Sequence, residues 1–107
     1  MTIDDIIACA KSHGSHFFDA DARRFFLSRI SSKTFGIEGN IFVTSEKHEY
    51  ASERVTINEP RRYTVRAIDP ETGEIDSLSS WQQFDNQREA FEWARRYGQA
   101  MLDQRAS

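Results

Sequence analysis

The sequence predicts an α+β domain: N-terminal helices, an antiparallel sheet of three to five strands, and a C-terminal helix packed on that sheet. Three observations carry this reading. Apolar residues recur at helical spacing near the start and again over the last twenty residues. Between them the period shifts to the alternation of strands. Within that middle part, Asp69-Pro-Glu-Thr-Gly73 has the composition of a tight hairpin turn.

The first helix opens at Thr2-Ile-Asp-Asp5, a capping box in which Thr2 and Asp5 satisfy each other's backbone N–H. Ile3, Ile6, Ile7 and Ala10 then fall on one face, and Gly14 stops the helix. A second, shorter helix is expected from Asp19 or Asp21 to about Ser28 or Ile30, with Ala22, Phe25, Phe26 and Ile30 as its apolar stripe. Phe17 and Phe18 precede its cap, where a hydrophobic staple would sit. Ser31-Ser32-Lys33 breaks the pattern.

Thr34–Ile37 and Ile41–Ser45 read as strands joined by a turn at Glu38-Gly39-Asn40. Residues 47–60 are polar and charged, and read as a long loop with a brief strand at Arg54–Ile57; loops of that length are often functional. In Arg62–Asp69, Tyr63, Val65 and Ala67 fall on one face, and Arg62, Thr64 and Arg66 on the other. Glu74–Trp81 is the expected partner strand. Asn86 caps the last helix, with Ala90, Trp93, Ala94, Tyr97 and Met101 as its buried stripe; Gly98 inside it suggests close packing on the sheet.

Composition narrows the functional classes. The chain has 107 residues, the size of one domain, and eight Phe, three Tyr and two Trp supply ample apolar area. With 14 basic and 17 acidic residues the net charge is -3, neither a basic nucleic-acid coat nor a fully acidic mimic. Cys9 is the single cysteine, and the N-terminus has acids where a secretion signal would have basic residues. No apolar run approaches the ~20 residues of a membrane span. A cytoplasmic protein with no membrane partner is expected.

No motif points to catalysis or a cofactor. His13 and His16 straddle Gly14 and lack zinc-ligand spacing, and Cys9 sits among apolar neighbours as an inert small hydrophobe would. No phosphate-binding glycine loop or nucleophile motif is present. The sequence is therefore read as non-enzymatic, with no metal and no cofactor.

Two binding readings remain. Charges are segregated into a basic stretch at 23–33, a mixed acidic loop at 46–59 and an acidic hairpin tip at 69–76, which suits docking by complementary potential. Glu46, Glu49, Glu53, Glu71, Glu74 and Asp76 are the candidate partner-binding residues toward a basic surface; Arg61, Arg62 and Arg66 would serve an acidic one. The alternative is single-stranded nucleic acid held by Arg23, Arg24, Arg29, Lys33, Arg61, Arg62 and Arg66, with Phe42 and Tyr63 as stacking aromatics. Against that stand the hairpin acids, to which Arg62 and Arg66 are expected to pair across strands at Glu74 and Asp76.

His16-Phe-Phe-Asp19, Arg24-Phe-Phe-Leu-Ser-Arg29, Phe42-Val-Thr-Ser-Glu46, Pro60-Arg-Arg-Tyr-Thr-Val-Arg66 and Phe84 before an Ala-rich helix together resemble a family of small uncharacterised bacteriophage and mobile-element proteins. The resemblance spans roughly residues 15–97 and brings no catalytic motif. It implies a binder of a host protein or ribonucleoprotein complex, of the anti-CRISPR kind that inhibits bacterial defence. It does not say which residues bind.

Overall fold

A computed structural model describes residues 1–24 and 26–106. Its elements are α1 (Ile3–Ser12), α2 (Ala20–Arg24), β1 (Arg29–Phe35), β2 (Ile41–Glu46), β3 (Glu49–Ala51), β4 (Thr56–Asn58), β5 (Arg62–Ile68), β6 (Ile75–Ser77) and α3 (Gln87–Ala106). Four strands form an antiparallel sheet in the order β1-β2-β5-β6, and β3 with β4 makes a separate two-stranded sheet. The α+β architecture, with the last helix on the sheet, is the predicted one.

Each sheet face has its own core, as the alternation of β5 requires. Ile41, Val43 and Val65 face α3 and pack with Phe35, Phe84, Ala90 and Ala94, with Tyr63 and Ala67 at the margin. Phe42 and Ile68 face the other way and meet Ile6 and Ala10 of α1 together with Phe18. Every residue of β2 is consequently buried. Gly98 explains itself here: a Cβ on it would stand 3.1 Å from the backbone of Gly36, so its absence lets α3 approach the β1–β2 turn.

The cap of α1 is the expected reciprocal one. Asp5 N–H donates to Thr2 Oγ1 at 3.2 Å, and Thr2 N–H donates to the Asp5 carboxylate at 2.9 Å. Those Thr2 hydrogen bonds hold the Asp5 carboxyl below its ordinary range. A lowered folded-state value means the contribution is complete above the unfolded carboxylate value and fades as pH falls through the folded one. Thr2→Ala should cost about 1 kcal/mol. The unfolding midpoints of wild type and Asp5→Asn should differ at neutral pH and converge in acid; a gap independent of pH would show that the charge is irrelevant to the cap.

Three segments before β5 depart from expectation. The second helix ends at Arg24, because Leu27 takes a left-handed conformation at φ 47°, with Leu27 N–H donating to Arg24 O and Ser28 N–H to Arg23 O. That pattern is a helix-terminating Schellman turn, here without the usual glycine. The expected stripe is therefore divided: Ala22 is exposed, Ile30 lies on β1 and Phe26 meets His48 and Trp81, while Phe25 falls outside the described residues. Ser31-Ser32-Lys33 belongs to β1, where the register with β2 shifts between Ile30 and Thr34. The apparent break in the sequence is a bulge within a strand. Residues 47–60, read mostly as loop, contain the β3–β4 hairpin.

The Asp69–Gly73 turn forms as expected. Gly73 N–H donates to Asp69 O at 2.7 Å, and Gly73 has φ 72°. It also lies against His13 at the end of α1, where a Cβ would come within 2.6 Å of the His13 Cβ. The strand that follows is shorter than the predicted 74–81, since β6 ends at Ser77.

Candidate functional site

The sheet register decides which charged residues reach solvent. Phe42 pairs with Arg66, Thr44 with Thr64 and Glu46 with Arg62, so Thr44, Glu46, Thr64 and Arg66 share the face opposite α3. Arg66 runs along this face: its Nε donates to Thr44 Oγ1 at 2.8 Å and one terminal nitrogen reaches Glu46 Oε1 at 3.3 Å. Thr44 and Thr64 hydroxyls also donate to the Glu46 carboxylate, at 2.8 and 3.3 Å. The Phe17 ring covers the guanidinium at 5.0 Å, a cation–π contact. Side-chain exposure is 4% for Glu46 and 14% for Arg66.

Three sequence expectations are corrected by this arrangement. Glu46 and Arg66, predicted as surface recognition residues, are spent on a buried polar network. The expected pairing of Arg62 and Arg66 with Glu74 and Asp76 is absent from the described contacts. Asp76 pairs with Ala67 and so lies on the opposite face from Arg66, whose β6 neighbour is Ser77, while Glu74 sits in the turn. Arg62 instead approaches Asp85 at 3.7 Å, exposed on both sides. Phe42 is fully buried and cannot stack on a ligand.

The remaining acids do not converge. Glu49 and Glu53 are exposed on the β3–β4 hairpin, which follows the Glu46 end of β2. Glu71, Glu74 and Asp76 are exposed around the turn beyond Ile68, at the end of the sheet where Ile41 pairs with Ala67. The acidic candidates therefore make two separate sets.

The hairpin set has apolar company that sequence reasoning did not single out. Tyr50 is 54% exposed, Val55 50% and Trp81 50%. The hairpin's base is fixed to the body: Lys47 N–H donates to Phe26 O at 2.7 Å, and Phe26 contacts both His48 and Trp81 ring-to-edge. Lys47 approaches Glu49 at 3.5 Å, and His48 approaches Glu59 at 3.8 Å. The signal available in sequence was the β-branched and aromatic content of 49–57, weakened by the charges interleaved with it.

Among the basic candidates, Arg23, Arg24, Arg29 and Arg61 line one depression at the junction of α2 and β1. Arg61 is tethered: one terminal nitrogen donates to Leu27 O at 2.8 Å, Ser45 Oγ at 3.0 Å and Ser45 O at 3.2 Å. Burial, with the charge of Arg29 next, lowers its pKa from the ordinary arginine value. Lys33 stands apart, its ammonium 5.5 Å from the Phe35 ring centroid and 5.9 Å from that of Phe91.

His16 pairs with Asp19 at 2.8 Å, and His13 Nδ1 lies 2.9 Å from Cys9 O. Cys9 Sγ is a free thiol 3.5 Å from Pro70 O. Among the described residues no group of three or more His, Cys, Asp or Glu is placed to hold a metal ion, and no helix is long and apolar enough to cross a membrane.

Residues 2–95 match the model of a family of unknown function, DUF7447, and the chain belongs to that family. No curated protein and no solved structure matches the chain.

Proposed function

We propose that this member of the DUF7447 family acts without catalysis, by docking on a protein partner through its β3–β4 hairpin. The observation that carries this reading is the exposure of Tyr50 and Val55 on a hairpin whose base packs beside Trp81. An isolated two-stranded hairpin is at best marginally stable in water, and exposing large apolar side chains on one has no folding benefit. Tyr and Trp are also the residues that most often dominate binding energy at interfaces. Glu49 and Glu53, exposed on the same hairpin, select a partner whose facing surface is basic. The resemblance to bacteriophage and mobile-element proteins gives that partner its concrete form, a host ribonucleoprotein complex of bacterial defence in the host cytoplasm. Such complexes carry basic surfaces for their nucleic acid.

The test places a photo-crosslinking residue at the exposed Thr56, beside Val55 on the hairpin. It compares capture from a host lysate by the otherwise wild-type chain, by a Tyr50→Ala/Val55→Ser variant and by Glu53→Lys, each carrying the same crosslinker. A discrete crosslinked protein should appear, and its affinity should fall about tenfold or more in each variant while the unfolding midpoint stays put. Equal affinity for wild type and both variants would remove the hairpin from the interface.

A further inference from the structure

We propose that the groove along the free edge of β1 is a binding track for the phosphate backbone of single-stranded nucleic acid. This inference rests on different residues from the hairpin and stands or falls separately from it. The strand order leaves β1 unpaired on one side. Three adjoining depressions run past β1, the middle one reaching inward across Val43 and Ser45 of β2 to Tyr63 of β5. The first holds Arg23, Arg24, Arg29 and Arg61. The second shares Arg29 and Arg61 and adds Tyr63 and Gln87. The third shares Gln87 and adds Lys33, Arg88 and Phe91, together with Glu92, whose carboxylate is already paired with Arg95 and Arg96. Over the seven residues of β1 the track is about 20 Å long.

At the arginine-lined end the charges have little internal compensation among the described residues. Among the described residues, no carboxylate lies within 4 Å of the Arg23, Arg29 or Arg61 guanidinium groups, although acids outnumber bases in the chain. Arg24 has only a loose contact with Asp21 at 3.5 Å, exposed on both sides and therefore weak. Arg23 Nε is buried with no acceptor among the described residues. Arg61 donates to neutral acceptors and sits close enough to Arg29 for the two charges to repel, an effect that outweighs the attraction of Glu46. Clustered guanidinium groups without carboxylates match phosphate oxygens, which accept two parallel N–H bonds from each fork.

The geometry selects a single strand. α3 lies flat on the sheet, its Ala90 and Ala94 buried in the core, so it offers no protruding helix to enter a duplex groove. The half-buried rings of Tyr63 and Phe91 flank the cations, where unpaired bases can stack. The bulge at Ser31–Lys33 brings Lys33 onto the Phe91 side of the edge. A lysine on a bulged strand would also discourage edge-to-edge pairing, but that role does not require Arg23, Arg29 and Arg61 to gather in one depression with no carboxylate within 4 Å among the described residues.

Fluorescence anisotropy with labelled oligo(dT) and oligo(rU) of about 12 nucleotides tests the track, using the full chain and varying salt from about 50 to 200 mM. Arg29→Glu should weaken binding about tenfold or more, and the log–log salt slope should shrink by about 0.7 for each phosphate no longer neutralised. Arg105→Glu, the same charge reversal near the far end of α3, should change affinity less than about twofold; circular dichroism verifies that both variants are folded. Three outcomes overturn the proposal: no binding at the lowest salt, equal losses for the two variants, or tighter binding of a duplex of the same length. Loss of the hairpin crosslink with the salt response intact would instead sink the protein-docking reading alone.

Discussion

Glu46→Ala should destabilise the protein by about 3–5 kcal/mol, a large share of the stability of a domain this size. The substitution leaves the Arg66 guanidinium, 14% exposed, under the Phe17 ring with no carboxylate. It also removes the acceptor of the Thr44 and Thr64 hydroxyls, both of which are buried. Uncompensated charge costs far more than the intact pair contributes, so the penalty measures the orphaned arginine rather than the strength of the bridge. Arg66→Met alone should cost a similar amount by orphaning Glu46. The double variant Glu46→Leu/Arg66→Met should recover much of the loss, because no ion is then left behind. Guanidinium unfolding of the four species gives the coupling directly, provided the denaturant dependence stays constant. A loss below about 1 kcal/mol for Glu46→Ala would mean that water reaches the pair and that it behaves as a surface bridge.

The same network marks where sequence reasoning succeeded and where it stopped. Alternation in β5 correctly put Tyr63, Val65 and Ala67 on one face, Arg62, Thr64 and Arg66 on the other. It could not say that the second face is covered. Covering it takes α1 and Phe17-Phe18, which are remote in sequence from β5, and their arrival turns Glu46 and Arg66 from surface charges into interior ones. The β1 boundary failed for a local reason: an arginine-rich helix ended by a left-handed Leu27, without glycine, has no compositional stop signal. Elements with side-chain caps were easier. Thr2 with Asp5, and Asn86 whose side chain accepts from Glu89 N–H at 2.9 Å, stand as read. The candidate sites were legible as residue types and not as groupings. Sequence segregation of acids became two distant sets, whereas arginines from α2, β1 and the start of β5 were brought to one edge. Arg88 joins that edge only through the packing of α3, and nothing in its neighbourhood in the sequence announces it.

Phe42→Ala should be as damaging as Glu46→Ala, at about 3–5 kcal/mol, and should act on one layer of the molecule. Phe42 is fully buried, 5.9 Å from the Phe18 ring and 6.3 Å from that of Phe17. Together with Ile68 it is the sheet's contribution to the core that holds α1 through Ile6 and Ala10. Removing the ring opens a cavity between those layers, and the other core, built on Val43, Val65, Ala90 and Ala94, does not touch it. Amide exchange should therefore accelerate across α1 well before it does in α3. Because Phe17 also covers Arg66, the effect should be non-additive with Glu46→Ala. Phe42→Leu refills most of the volume and should retain much of the stability. It should also leave oligonucleotide affinity unchanged, since the ring that sequence suggested as a base-stacking platform is enclosed. A uniform rise in exchange over both α1 and α3 would show that the two cores unfold as one unit. An affinity loss in a stable Phe42→Leu would place the ligand on the α1 face rather than along β1.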